Sequence, residues 1–147
     1  MPRSFIFKLR GNSLRQTFAP LLGRILLALI FIFASFHKFT GFEGTAGYMA
    51  SHGLPMPQVL LAATIVIELI GGLMILIGWQ ARIAAAAIFL FLIPATLVFH
   101  AFWNVNPTDT MLLQNQMNHF MKNLAIMGGM LYIIAYGTGP YSLQKSV

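Results

Sequence analysis

Four stretches of this chain are long and apolar enough to cross a lipid bilayer, and that constrains the fold more than any motif does. They lie at about 20–39 ("PLLGRILLALIFIFASFHKF"), 58–78 ("QVLLAATIVIELIGGLMILIG"), 82–103 ("RIAAAAIFLFLIPATLVFHAFW") and 118–136. A membrane helix needs about 20 mostly apolar residues to span ~30 Å of hydrocarbon. Only 8% of the residues are charged and 58% are hydrophobic, whereas a soluble domain carries about 25% charged residues. A soluble fold of 147 residues cannot hide that much apolar surface, so lipid must be the solvent for most of it. The expected architecture is an all-α, integral membrane four-helix bundle, a single domain over 1–147 with no repeat or linker. A cleavable signal peptide is the other reading of the first stretch. Its apolar run is long, however, and ends in "FHKFTGF" rather than in a small-residue cleavage site, which favours a retained helix.

Orientation follows from the basic residues. With the N-terminus inside, seven of the nine Lys and Arg fall inside (Arg3, Lys8, Arg10, Arg15, Arg24, Arg82 and Lys145), and only Lys38 and Lys122 fall outside. Both termini are therefore expected to be cytoplasmic. The basic N-terminal cluster beside an apolar span reads as a membrane signal and not as a nucleic-acid surface. The turn "WQAR" makes the second and third spans a tight antiparallel hairpin. The longer connections, "TGFEGTAGYMASHGLPMP" and "NVNPTDTMLLQNQM", lie on the outer side, and Pro55 and Pro57 stop any helix in the former and start the second span. The absence of cysteine excludes disulfides, thiolate metal sites and a dithiol relay carried by this chain.

On this map the polar residues converge. Glu68 lies about ten residues into the second span, ~15 Å deep at 1.5 Å per residue, close to the bilayer midplane. His37 and Lys38 end the first span and His100 ends the third. His119, Lys122 and Asn123 open the fourth, and their spacing places them on one helical face. A charge in mid-membrane costs roughly 2.5–3.5 kcal/mol on insertion scales, so Glu68 should face protein and find a partner. Gly71 and Gly72 accompany Glu68, and Gly128 and Gly129 follow Asn123; small residues of this kind let helices approach closely. From these placements the second and fourth spans are expected to pack at their glycines, with Glu68 paired to Lys122. The competing readings are plainer: Lys38 and Lys122 snorkel to the outer headgroups, Glu68 is a structural hydrogen-bonded acid, His100 beside Trp103 belongs to an interfacial belt, and the methionines of the fourth span only pack. The spacing of His37, His100 and His119 matches no metal or haem ligand signature, so no metal is expected.

The run "FHKFTGFEGTAGYMASHGLPMPQVLLAATIVIELIGGLMILIGWQARIAAA" closely resembles the core of the DoxX family of small bacterial membrane proteins. The matching features are Lys38 ending the first span, the Gly53-Leu54-Pro55 loop, Glu68-x-x-Gly71-Gly72, and Gly78-x-x-x-Arg82 at the hairpin. "NHFMKNLAIMGGML" and the ending "GTGPYSL" extend the resemblance over about 20–144. Ser35, where glycine is common, and Gln144, where aspartate is usual, depart from the pattern and bear on subfamily. The resemblance implies a four-helix, multi-pass protein of the bacterial inner membrane. It also implies a redox connection, because relatives include the DoxD subunit of a thiosulfate:quinone oxidoreductase and a mycobacterial protein linked to a membrane oxidoreductase assembly.

The residues themselves are compatible with a quinone. His100, His119, Lys122 and Asn123 supply hydrogen-bond donors, Lys38 and His37 lie at the same level, Phe and Leu line a path for a tail, and Glu68 is the candidate proton carrier. No nicotinamide or flavin fingerprint is present, since "GFEGTAG" does not sit in a βαβ unit. Three functions stay open: a redox-linked subunit with a quinone pocket, a non-catalytic accessory subunit packed against other membrane subunits and lipid, and a small-solute transporter coupled through Glu68.

Overall fold

The computed structural model describes residues 13–144, and every regular element among them is helical. The elements are α1 (Ser13–Thr40), α2 (Phe42–Ser51), α3 (Pro57–Ile77), α4 (Ala81–Phe99), a 3-10 turn (Phe102–Asn104) and α5 (Thr110–Tyr136). Three of the helices are long and apolar enough to cross a membrane, over Gln16–Thr40, Pro57–Ile77 and Ala81–Asn104. The basic residues Arg3, Lys8, Arg10 and Lys145 lie outside the described residues, so the expected orientation of the termini is untouched by the structure.

Local chemistry sets the boundaries. Pro57 occupies the first turn of α3, where its missing N–H is one of the unpaired donors anyway. At the other end Gly78 takes φ +71°, donating to Ile75 O while Trp79 N donates to Met74 O. This left-handed exit satisfies the last carbonyls and turns the chain sharply into α4. Two expectations shift. α5 begins at Thr110, two turns before the expected 118, because the Asp109 carboxylate caps it by accepting from Leu112 N at 3.1 Å. α4 ends at Phe99 instead of 103, and the chain leaves the helix through the 3-10 turn. The connection between the first two spans also holds a helix, α2, which ends at Ser51, before Pro55.

α1 packs on α3, α3 on α4 and α4 on α5, with α2 laid over the N-terminal end of α3. The interior is narrow and built from small side chains. Ala28, Ala84 and Ala85 are buried, and Ile75, Ile88 and Met130 fill between them. Large side chains such as Phe33, Phe36 and Leu90 point outward, as they must in a bundle whose solvent is hydrocarbon. The glycines work differently from expectation. Gly72 faces α1, where an added Cβ would sit 3.3 Å from both Ala28 O and Phe31 Cβ, and Gly71 faces Ile88 of α4. Gly129 of α5 receives Leu27 of α1. The expected pairing of the second span (α3) with the fourth (α5) is therefore not made: α3 spends its two small residues on close approach to α1 and α4, and α4 lies between it and α5.

Past α5 the chain turns back across the helix ends. Leu143 N and Gln144 N donate to Ile77 O and Gly78 O, and the Gln144 side chain accepts from Gln80 N. Arg24 of α1, buried at 3% exposure, donates to Thr138 O and Tyr141 O. One tail thus ties α1, the α3–α4 turn and α5 together.

Candidate functional site

A cavity of about 300 Å³ lies among α1 to α5 at the end of the bundle that carries α2. Its wall is mostly Ile, Phe, Leu and Ala, with Lys38, Glu68, His100, Lys122 and Asn123 as its ionisable or amide side chains and Thr45, Tyr48 and Thr64 adding hydroxyls. Each arrives for a local reason. Lys38 lies in the last turn of α1, and Glu68 lies midway along α3 on the buried face it shares with Leu61 and Ile75. His100 is the residue at which α4 stops, and Lys122 and Asn123 are one position apart on α5.

The expected Glu68–Lys122 pair is not formed. Lys38 Nζ lies 2.9 and 2.8 Å from the two Glu68 carboxylate oxygens, a two-oxygen contact that crosses from α1 to α3. The reason is the packing order: α3 borders α1 and not α5, so the lysine of α1 reaches the carboxylate first. Glu68 is 5% exposed. A carboxylate so buried would be strongly destabilising unpaired, and the lysine offsets its desolvation. Lys38 does not snorkel; its aliphatic stem turns inward and delivers its ammonium to the interior.

Lys122 is held elsewhere, with its Nζ 3.1 Å from His119 Nδ1. The ammonium donates, so that imidazole nitrogen is the unprotonated one. His119 itself is not part of the cavity wall, but its ring stacks on His100 at 5.0 Å between centroids and 19° between planes. His100 Nδ1 donates to Gln116 Oε1 at 2.9 Å, which fixes that ring's orientation as well. Asn123 is buried and donates to Thr96 Oγ1 at 3.0 Å, joining α5 to α4. His37 stands apart, exposed and outside the cavity wall. Among the described residues no group of three or more His, Asp or Glu is placed to hold a metal.

Thr96, Gln116 and Tyr48 were not singled out from the sequence. Thr96 and Gln116 act through hydrogen bonds to named site residues, and Tyr48 enters the wall from α2, stacked on Phe99 at 5.6 Å. The "GYMAS" segment offered the one available signal, since its aromatic sits two residues from a small residue on what proves to be a short helix.

The outcome is an apolar bundle that gathers Lys38, a buried Glu68 and an exposed Lys122 at one end and buries Arg24 at the other. Lys38 and Lys122 bring two positive charges and Glu68 one negative, so the cavity is cationic. Fold and site together define a small multi-pass helical membrane protein with an internal polar cavity. The DoxX family model matches residues 19–101. Over 125 residues the chain is 34% identical to the inner membrane protein YphA of Escherichia coli K12, covering 85% of this chain and 87% of that one. It is 35% identical to the inner membrane protein YqjF of the same organism, covering 85% and 88%. A shorter match, 39% over 75 residues, covers 51% of this chain and 54% of a Bacillus subtilis 168 protein named "Putative oxidoreductase CatD". No solved structure matches. The chain belongs to the DoxX family, and it is a multi-pass inner-membrane protein.

Proposed function

We propose that this protein is a redox-linked accessory subunit that holds the head group of a quinone in its cationic cavity and works beside a larger membrane oxidoreductase. In this reading α5 is the fourth span, both termini are cytoplasmic, and the cavity opens in the outer half of the bilayer. The observation that carries it is the cavity itself: about 300 Å³ of apolar space with Lys38, Lys122, His100 and Asn123 on its wall. A quinone head group presents two carbonyl acceptors and an apolar tail. Lys122 and His100 supply donors for the carbonyls, Phe91 and Leu92 face the ring, and the Lys38–Glu68 pair supplies a proton-bearing group at the cavity wall. In this reading the electrons come from the partner subunit. The oxidoreductase in the name of CatD supports a redox setting for the family.

Native mass spectrometry of the protein extracted from its own membrane in mild detergent tests this directly. Expected is a retained quinone, together with the subunits of a redox complex, and loss of the quinone in Lys122→Met at unchanged protein level. A Lys122→Met variant that keeps its quinone, or a wild type recovered alone and empty, refutes the reading.

A further inference from the structure

At the opposite end of the bundle a second cavity, about 350 Å³, lies between α1 and the end of α5. Its wall is apolar, with Pro20, Gly23 and Leu27 on one side and Gly129, Tyr132 and Ile133 on the other. Arg24 is the exception. The guanidinium has five N–H donors; Nη1 donates to Thr138 O at 3.3 Å and Nη2 to Tyr141 O at 2.8 Å. Nε has no acceptor among the described residues, although Arg24 is 97% buried by its 3% exposure.

No acidic side chain is within reach to neutralise it. The chain has three acidic residues; Glu43 is on α2, Glu68 pairs with Lys38, and Asp109 caps α5, all toward the other end. The two tail carbonyls, just past the negative end of the α5 dipole, offset part of the cost of burying this cation. They supply no full counter-charge, and a buried cation lacking one is expensive.

Depth says what can supply it. The carbonyls that hold Arg24 follow directly on the end of α5 at Tyr136, and a Cβ on Gly78, just past the end of α3, would sit 2.6 Å from Arg24 Nη1. The guanidinium is thus level with the points where two helices end, which is the level of lipid phosphates. Tyr132 and Tyr136, 71% and 76% exposed, flank the cavity as interfacial aromatics do. A Cβ on Gly23 would meet nothing within 4 Å, so the crevice is open along α1.

We infer that this crevice binds one anionic phospholipid, its phosphodiester held at the mouth by the field of the buried Arg24 guanidinium and an acyl chain lying between Gly23 and Leu27 of α1 and Gly129 and Tyr132 of α5. The site is separate from the cavity at the α2 end and does not depend on what that cavity holds.

The test is native mass spectrometry of the full chain in detergent, titrated with phosphatidylglycerol or phosphatidylcholine of identical acyl chains. One phosphatidylglycerol should be retained at a concentration at least tenfold below that needed for phosphatidylcholine. Arg24→Gln should remove that preference. Because Arg24 also anchors the tail, Gly23→Leu provides the independent arm: it fills open space and should weaken retention of both lipids with the melting temperature unchanged. Equal retention of the two lipids by the wild type overturns the inference. Undiminished phosphatidylglycerol binding in Gly23→Leu also overturns it, placing the lipid on the basic N-terminal segment instead. Displacement of the lipid by inorganic phosphate alone would make this an anion site without an acyl subsite, and would overturn it too.

Discussion

Replacing Lys38 by methionine removes the ammonium from a carboxylate that is 5% exposed and leaves Glu68 charged in apolar surroundings. Truncating one partner of a buried ion pair costs roughly 3–5 kcal/mol, most of it the stranded charge. The Lys38 side chain retains 28% exposure, and partial screening of that end puts the expected loss near the bottom of the range, about 3 kcal/mol. Glu68→Gln strands the lysine instead, which can still reach water, so it should cost less. The double variant strands neither charge and should be more stable than the sum of the single losses implies. Coupling between groups in contact runs to about 0.5–3 kcal/mol, and a two-oxygen contact at these distances should fall in the upper half of that range. The same cycle built on Lys122 and Glu68 should couple by less than about 0.5 kcal/mol, since those two make no contact. Reversible unfolding of the purified protein in mixed micelles, followed by far-UV circular dichroism, gives each corner of both cycles. A larger coupling for Lys122 than for Lys38 would refute the assignment of the pair. So would single variants as stable as the wild type.

Three further tests read out the packing. Gly72→Ala should lower the melting temperature more than Gly71→Ala, because the new methyl at 72 meets the Ala28 carbonyl and Phe31 Cβ of α1 at 3.3 Å, whereas at 71 its close contacts are with the movable Ile88 side chain and the nearest backbone atom, Ala84 O, is 4.0 Å away; overpacking of this kind costs about 1–3 kcal/mol. Asn123→Ala should cost about 1–3 kcal/mol by leaving the buried Thr96 hydroxyl without its donor, and pairing it with Thr96→Val should recover most of the loss in the same unfolding assay. Gly78→Ala should free the C-terminal tail, since φ is +71° there and the added carbon collides with Ser142; limited proteolysis should then cut within 139–144, and an uncut tail would contradict the tie between the tail and the α3–α4 turn.

The membrane class, the apolar spans and the convergence of charge at one end are legible in the sequence because each follows from local quantities: run length, proline position and the side on which a residue falls. The partner of Glu68 is not. Lys38 and Lys122 lie at similar depth, and the choice between them depends on which helix borders α3, a matter settled by the contacts of Gly71, Gly72 and Gly129 rather than by any pattern within one helix. The early start of α5 escapes an apolar-run criterion because "TMLLQNQMNH" mixes Met and Leu with Gln and Asn; its signal is the capping carboxylate of Asp109. α2 escapes for the opposite reason, since two glycines in ten residues argue against a helix until Ala46 and Met49 are seen packed with Leu61.

A structural role alone accounts poorly for the cavity at the α2 end of the bundle. Close-packed interiors leave few voids larger than a water molecule. The Lys38–Glu68 pair is complete by itself, both carboxylate oxygens being bound. Beside it, about 300 Å³ remains unfilled, and the exposed Lys122 also lines that space, with His119 as its partner among the described residues. Closing the gap with one larger apolar side chain, for instance at Ala34 or Ala95, would relieve the void. A chain selected only for stability would be expected to have such a side chain. What it has instead is an apolar chamber with Lys122 on its wall, which is the arrangement a ligand with an apolar body and an electron-rich head would complete.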